Sequence, residues 1–279
     1  MSPVLARPLV MGIVNVTPDS FSDGGRWAST DAAVGRAMRL VADGAEVLDI
    51  GGESTRPGAE PVGEGAEIDR VVPVIAGVRA RWGGAISVDT MKPVVARAAV
   101  AAGATMWNDV TALSHAPDSA SVAAELGCEV VLMHMKGEPR TMQADPTYDD
   151  VVAEVRDHLA VRAEAAMAAG VARERIWLDP GIGFGKTLAH NLALTARLDA
   201  LVALGFPVLY AASRKRTIQA VDPTAIQADD RLGGSLALAL EGARRGARMV
   251  RVHDVRETVQ ALKMQAAMEA FRVFRPLSD

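Results

Sequence analysis

Residues 179–187 read "DPGIGFGKT", and whether they form a phosphate loop decides which kind of α/β fold the chain adopts. A P-loop requires G-x-x-x-x-G-K-[ST], whose successive backbone N–H groups wrap a phosphate while the lysine neutralises it. Counting back from Gly185-Lys186-Thr187 puts the first required glycine at Pro180, which has no N–H to give. The dinucleotide pattern G-x-G-x-x-G fails too, because its third glycine falls at Lys186. The stretch is instead the tail of an apolar run, "IWLDPGIGF" (176–184), which is one of a series.

The other runs are "LVMGIVNV" (9–16), "EVLDIGG" (46–52), "AISVDT" (85–90), "TMWNDV" (105–110), "EVVLMHM" (129–135), "PVLYAAS" (207–213) and "MVRVHD" (249–254), which makes eight candidate strands. Between them lie Ala-rich segments of helical period. One is "STDAAVGRAMRLVADG" (29–44), with Ser29 or Thr30 as N-cap and Gly44 as the stop. Gly44, Gly83 or Gly84, Gly103, Gly127, Gly170, Gly205 and Gly246 each sit just before a strand. Runs that are apolar on both faces and separated by helices indicate parallel strands with covered faces. Eight such units fit a closed (β/α)8 TIM barrel better than an open sheet. The expectation is one domain over residues 1–279, with the active site at the C-terminal ends of the strands. Two βα segments are long, 17–28 and 53–65, and in a barrel both open on the catalytic face as lids.

Composition narrows the partners. The residues are 49% apolar but only 4% aromatic, so the core must be built from Ala, Val, Leu, Ile and Met. A net charge of -4 supplies no basic field for nucleic acid or an anionic membrane. The single cysteine, Cys128, rules out an intramolecular disulfide and reads as a small buried hydrophobe. The longest uncharged run, Ala200–Ser213, has 14 residues and contains Gly205 and Pro207, too short and broken to span a bilayer. The first residues lack the pattern of a signal peptide, and a cytoplasmic location is expected.

Polar residues collect at the C-terminal ends of the apolar runs. In order they are Asn15, Asp49 with Glu53, Asp89, Asn108, His134, Asp179, the Ser213-Arg214-Lys215 turn, and Arg251 with His253. A barrel interior is filled by apolar layers, so polar groups ringing one end need either one another or a ligand. Asp89, Asn108 and Asp179 offer acceptors plus one amide, the set that holds a heterocycle edge with several N–H donors. Lys215, Arg214, Arg251, Arg56 and His253 offer cationic donors for a phosphate or carboxylate. Together they suggest a flat nitrogen heterocycle carrying a phosphorylated arm. No Ser/His/Asp triad or zinc spacing emerges. His115, His158 and His190 are expected at the surface, and Lys186 as a solvent-facing turn residue.

The motifs "NVTPDSFSDGG" (15–25), "DIGGESTRPGA" (49–59), "SVDT" (87–90), "NDV" (108–110), "LMHMKGEPRTMQ" (132–143), "LDPGIGFGKT" (178–187), "ASRKR" (212–216) and "RVHDV" (251–255) resemble those of dihydropteroate synthases, in order and along nearly the whole chain. That family condenses 6-hydroxymethyl-7,8-dihydropterin diphosphate with p-aminobenzoate, releases pyrophosphate, and is the target of sulfonamides. The resemblance implies that Asp89, Asn108, Asp179 and Lys215 hold the pterin. It implies that Asn15 binds Mg²⁺ and the diphosphate, with Arg251 and His253 as further diphosphate donors. Thr55, Arg56, Pro57, Phe21, Phe184 and Lys215 would form the p-aminobenzoate site, Ser213 would lie in the same turn as Lys215, and Asp23 would approach the pterin on closure of the first loop. A homodimer is also implied.

The neutral arylamine needs no strong base, so catalysis would rest on stabilising the leaving diphosphate and the cationic pterin, with the loops excluding water. Many members read "SRKS" where this chain has "SRKR". Arg216 therefore stands where a serine binds the p-aminobenzoate carboxylate, and "AAS" replaces "GAS" before it. Two alternatives remain open at this level: a pterin-binding methyltransferase barrel, which lacks the "STRPGA" and "SRK" segments, and a catalytically idle pterin-binding paralogue.

Overall fold

The protein is described by a computed structural model over residues 7–16, 25–54, 59–138 and 141–274. In chain order the elements are β1 (Leu9–Asn15), α1 (Gly25–Ala42), β2 (Val47–Gly51), α2 (Glu64–Arg79), β3 (Ala85–Asp89), α3 (Pro93–Ala101), β4 (Met106–Asp109), α4 (Ser119–Leu126) and β5 (Glu129–Met133). They continue with α5 (Val151–Ala168), β6 (Ile176–Asp179), α6 (Leu188–Ala196), α7 (Asp199–Val202), β7 (Leu209–Tyr210), α8 (Arg216–Val221), α9 (Leu232–Arg244), β8 (Met249–Val252) and α10 (Val255–Phe274). The eight strands form one parallel sheet in the order β6-β5-β4-β3-β2-β1-β8-β7. A parallel bridge between Leu178 and Val208, with the Leu178 N–H donating to the Pro207 carbonyl at 3.0 Å, brings β6 against the approach to β7 and closes the barrel. All strands then end on one face.

The period-2 alternation of strands sorts the side chains. Met11, Val47, Met106, Val131, Trp177, Leu209, Ala211 and Met249 form one buried apolar cluster, the plug inside the barrel. Their neighbours Val10, Leu48, Ile50, Ile86, Trp107, Val130, Leu178 and Val250 join the larger core between sheet and helices. Two residues past the plug, the same inward face turns polar: Val47 is followed by Asp49, Met106 by Asn108, Trp177 by Asp179 and Met249 by Arg251. One periodicity therefore builds both the plug and the floor of the site.

One boundary differs from the sequence expectation. Helix α1 begins at Gly25, so Ser29 and Thr30 lie inside it and do not cap it. Ser and Thr cost only about 0.5 kcal/mol each relative to Ala in a helix, too little to prevent a further turn from forming. The Gly stops are real. Gly44 and Gly103 have φ of 104° and 116°, a region that residues with a Cβ avoid.

The turn after β4 is strained and tied down beside Asn108. Ala112 and Leu113 have φ of 52° and 59°, which costs about 1 kcal/mol or more apiece. Buried Asp109 holds them. Its Oδ1 accepts from the Thr111 N–H and hydroxyl, both at 2.7 Å, and its Oδ2 from the Leu113 N–H at 2.9 Å. Arg162 donates to the Ala112 and Leu113 carbonyls at 2.8 Å each. Burial pushes the Asp109 carboxyl up to about 6 against the pull of those hydrogen bonds. Asp109→Ala should lower unfolding stability by about 3 kcal/mol, because it leaves buried N–H groups unpaired while the backbone strain remains. Urea denaturation checks this.

Candidate active site

The floor of the site is a buried charge cluster. Arg251, on β8, donates from Nε to Asp49 Oδ2 at 2.6 Å and from Nη2 to Asp89 Oδ2 at 2.6 Å. Asn108 donates from Nδ2 to the same Asp49 oxygen at 3.2 Å. Sheet register makes this possible, since Asp89 pairs with both Gly51 on β2 and Asn108 on β4. Asp49 is fully buried, and among the described residues its Oδ1 has no hydrogen-bond partner. Burial raises Asp89 to about 7, opposed chiefly by Arg251. The two carboxylates outweigh the burial of Arg251 and hold its guanidinium above its ordinary range.

Asp179, at the end of β6, stands opposite Lys215. Its Oδ1 accepts from the Gly181 N–H at 2.7 Å, and burial raises its pKa against the attraction of Lys215. The Lys215 ammonium donates to the Ile182 carbonyl and lies 4.3 Å from the centroid of the Phe184 ring, a cation–π contact. Burial pulls Lys215 down to about 8, with Asp179 pulling the other way. Ser213 joins β7 to β8: its hydroxyl contacts His253 Nδ1 at 3.1 Å and accepts from the His253 N–H at 3.2 Å.

Three cations are committed differently from their sequence reading. Arg251, expected on the diphosphate, spends Nε and Nη2 on Asp49 and Asp89. Arg214 was counted among the anion donors, but its guanidinium binds Asp254 at 2.9 and 2.5 Å and also Asp229. It sits at φ 58°, and its N–H donates to Ser235 Oγ at 2.8 Å, so it fixes the turn that presents Lys215. Lys186 is not solvent-facing. It is 3% exposed, and its ammonium contacts His134 Nδ1 at 2.9 Å, the His134 carbonyl at 3.2 Å and the Phe184 carbonyl at 3.0 Å. The turn around it has no room for side chains at two glycines: a Cβ on Gly181 would collide with the His134 carbonyl, and one on Gly185 with that of Lys136. His115 and His158 are exposed as expected, whereas His190 is half-buried and completes a capping box with Thr187.

Asn15 ends β1 on the same face, and Arg216 is exposed at the first position of α8. Phe21, Asp23, Thr55, Arg56 and Pro57 lie outside the described residues. The structure therefore brings together Asp89, Asn108, Asp179, Lys215, Arg251, Ser213, His253 and Phe184, with Asn15 at the rim, on the face where the strands end.

Comparison with known proteins agrees with this geometry. The sequence profile of pterin binding enzymes matches residues 11–253. Dihydropteroate synthase of Escherichia coli K12 is 47% identical over 94% of this chain and 92% of its own length. The Xanthomonas albilineans dihydropteroate synthase structure with 4-aminobenzoic acid superposes with a TM-score of 0.89 at 51% identity, covering 95% of this chain and 94% of that one. A Yersinia pestis dihydropteroate synthase solved as a sulfonamide drug complex gives 0.89 at 44% identity, covering 95% of this chain and 96% of that one. The chain belongs to the dihydropteroate synthase family of pterin-binding enzymes.

Within this dihydropteroate synthase fold, three features were not assigned a role from sequence. Asp49 was visible as a charge inside an apolar run, and its period-2 relation to Val47 placed it on the inner face, but only the structure shows Arg251 and Asn108 converging on it. Lys186 gave no signal beyond a false one. The third feature anchors the second long loop. Lys92, 8% exposed at the N-cap of α3, binds both Glu53 and Glu67, the latter at 2.5 Å. Glu53 also accepts from the Val62 N–H at 3.3 Å, tying together the two ends of the loop. Burial opposes the Lys92 charge, but the two carboxylates hold its pKa above that of an ordinary lysine.

Breaking a buried ion cluster by removing one partner leaves uncompensated charge, so Lys92→Met should cost about 3–5 kcal/mol at pH 8. Burial already raises the Glu67 pKa, and the substitution removes its main counter-charge. In the variant, protonation of Glu67 on the acid side relieves the repulsion. A carboxyl raised in the folded state destabilises as pH climbs through its folded pKa, so the penalty should shrink towards pH 5. Urea unfolding at pH 5 and 8 reads the difference; an equal loss at both would contradict it.

Proposed function

We propose that the pocket condenses 6-hydroxymethyl-7,8-dihydropterin diphosphate with p-aminobenzoate, giving 7,8-dihydropteroate and pyrophosphate. The observation that carries this reading is the floor: Asp49, Asp89 and Asn108 on the adjoining strands β2, β3 and β4, with Asp179 two strands further on β6, and one buried acceptor of Asp49 without a partner among the described residues. A pterin edge presents several N–H donors in a row, and carboxylates plus an amide match it. Arg251 pairs with both Asp49 and Asp89 and opposes the burial that raises the Asp89 pKa, and Lys215 supplies a donor to the ring from the opposite side.

In the reaction the C–O bond from the pterin methylene to the diphosphate breaks, and its electron pair leaves with the diphosphate. The lone pair of the arylamine nitrogen forms the new C–N bond, and the nitrogen then releases one proton to solvent. Asp89, Asp179 and Asp49 stabilise positive charge spread into the pterin. Ser213 and His253, joined by their hydrogen bond, lie at the same end of the barrel to meet the departing anion. Phe184 and the Lys215 stem form the platform for the arylamine ring, and the exposed Arg216 offers charge to its carboxylate.

The Asn15 side-chain oxygen, at the end of β1, suits Mg²⁺, which keeps several waters and binds through one or two protein oxygens together with substrate phosphates. Among the described residues no cluster of three His, Cys, Asp or Glu side chains could hold a metal alone, in keeping with an ion that arrives with the diphosphate. When bound, Mg²⁺ would neutralise developing charge on the leaving group. The same reading includes Thr55, Arg56, Pro57 and Phe21 on the arylamine and Asp23 on the pterin.

We further assign the protein to the cytoplasm, as one barrel domain that forms a homodimer. Among the described residues no helix is long and apolar enough to cross a membrane. Met264, Met268 and Phe271 of α10, spaced i, i+4, i+7 and exposed, offer apolar area that a second copy would cover.

The direct test incubates the protein with the pterin diphosphate, p-aminobenzoate and Mg²⁺ and assays dihydropteroate and pyrophosphate. Retained pterin binding without product would point to an idle paralogue. Phe184→Ala should raise KM for p-aminobenzoate about tenfold, and Lys215→Ala should weaken both substrates. The pH dependence of kcat/KM for the pterin diphosphate should be bell-shaped. Its acid limb lies near 7, where Asp89 loses the proton that stops it from accepting, and its alkaline limb near 8, where Lys215 loses its charge. Lys215→Met should remove the alkaline limb while leaving the acid one.

A further inference from the structure

The β6 turn lies on the end of β5 backbone to backbone, and nearly every polar group along it is held. The Gly183 N–H donates to Asn191 Oδ1 at 2.8 Å, and the Gly183 carbonyl accepts from Gln143 at 2.5 Å. The Gly185 carbonyl accepts from the Tyr148 hydroxyl at 2.8 Å, and the Ile182 carbonyl from Lys215. Among the described residues the Phe184 carbonyl accepts from Lys186 alone, and that same amine also grips the far strand through His134. Burial pulls the Lys186 pKa down to about 7, with Asp179 pulling the other way; in its protonated form the amine has three hydrogens, and here it meets three acceptors, two carbonyls and an imidazole nitrogen. The imidazole suits that role, since burial and the nearby Lys186 push His134 down to about 2 and keep it neutral with its Nδ1 lone pair available.

Resting on the reading that Phe184 and Lys215 form the arylamine platform, we propose that Lys186 is a positioning residue for that platform. Its ammonium pins the β6 turn to the end of β5 and so sets Phe184 beneath the Lys215 ammonium. The geometry supports a local effect. Lys186 bonds the backbone of Phe184 itself, whereas Asp49, Asp89 and Asn108 of the pterin floor are held by Arg251 and the strand register; of the floor residues Asp179 alone feels the Lys186 charge, and its carboxylate is fixed separately by the Gly181 N–H. Removing the amine frees the turn to shift by fractions of an ångström, enough to misplace an aromatic ring packed against a substrate. It also orphans two buried carbonyls, so the variant is less stable as well.

The experiment is steady-state kinetics on Lys186→Met beside Phe184→Ala, with folding checked by circular dichroism. The expected result is a rise in KM for p-aminobenzoate of about tenfold, with KM for the pterin diphosphate and kcat within about twofold of the parent. Should Lys186→Met not fold, Lys186→Gln, which keeps a shorter donor, replaces it and should give a smaller rise in the same constant. An unchanged KM for p-aminobenzoate in a folded variant overturns the proposal. Equal weakening of both substrates overturns it too, because that marks a general loss of structure. If Phe184→Ala itself leaves that constant unchanged, the platform reading fails instead; if only the Lys186 variant does so, the positioning role alone fails.

Discussion

The ion pairs of Arg251 with Asp49 and Asp89 are the constraint on which the site depends. Two carboxylates this deep in a barrel are affordable only with a partner, and the guanidinium bridges them in a planar arrangement that a lysine could not reproduce. The partner comes from the strand two places from one carboxylate and three from the other, so the cluster exists only if the barrel closes in the observed register. Recognition and fold are therefore the same structure seen from two sides. The polar floor that would read a heterocycle also fixes β8, β2 and β3 relative to one another.

Above the floor, three of the loops are tied down by a buried or half-buried cation. Lys92 holds the stem of the second long loop through Glu53 and Glu67, Arg214 holds the Lys215 turn through Asp254, and Lys186 holds the β6 turn through His134. Arg214 adjoins Lys215, and Lys186 bonds the backbone of Phe184. Barrels permit this because their βα loops are neighbours in a ring: a long side chain rooted in one loop reaches the next without crossing the core.

The strand series, the parallel barrel and the ring of polar residues at the strand ends were legible because they follow from local rules. Short apolar runs, helix stops and period-2 alternation are properties of neighbours in sequence. Asp89, Asn108, Asp179 and Lys215 could be placed on one face for that reason. The start of α1 was not legible, because two weak cap signals at Ser29 and Thr30 compete with helix propagation that costs almost nothing to continue. Arg214 and Lys186 were misread for a stronger reason. A cation in a glycine-rich turn looks solvated unless its partner is known, and the partners stand 40 residues away at Asp254 and 52 away at His134.

The sequence by itself determined the architecture, the chemistry gathered at one end of the strands and the family, since each is written in spacing and residue type. Tertiary structure alone decided which charges are spent inside the protein and which remain for a ligand. Arg251 is shared between two carboxylates, Arg214 is consumed by Asp254 and Asp229, and one oxygen of Asp49 has no partner among the described residues. The physical reason is that the state of a buried charge is set by groups within a few ångströms, whatever their separation along the chain. For "DPGIGFGKT" the difference is plain: the residues excluded a phosphate loop, but only the closed barrel shows Lys186 turned inward to hold the turn in which it lies.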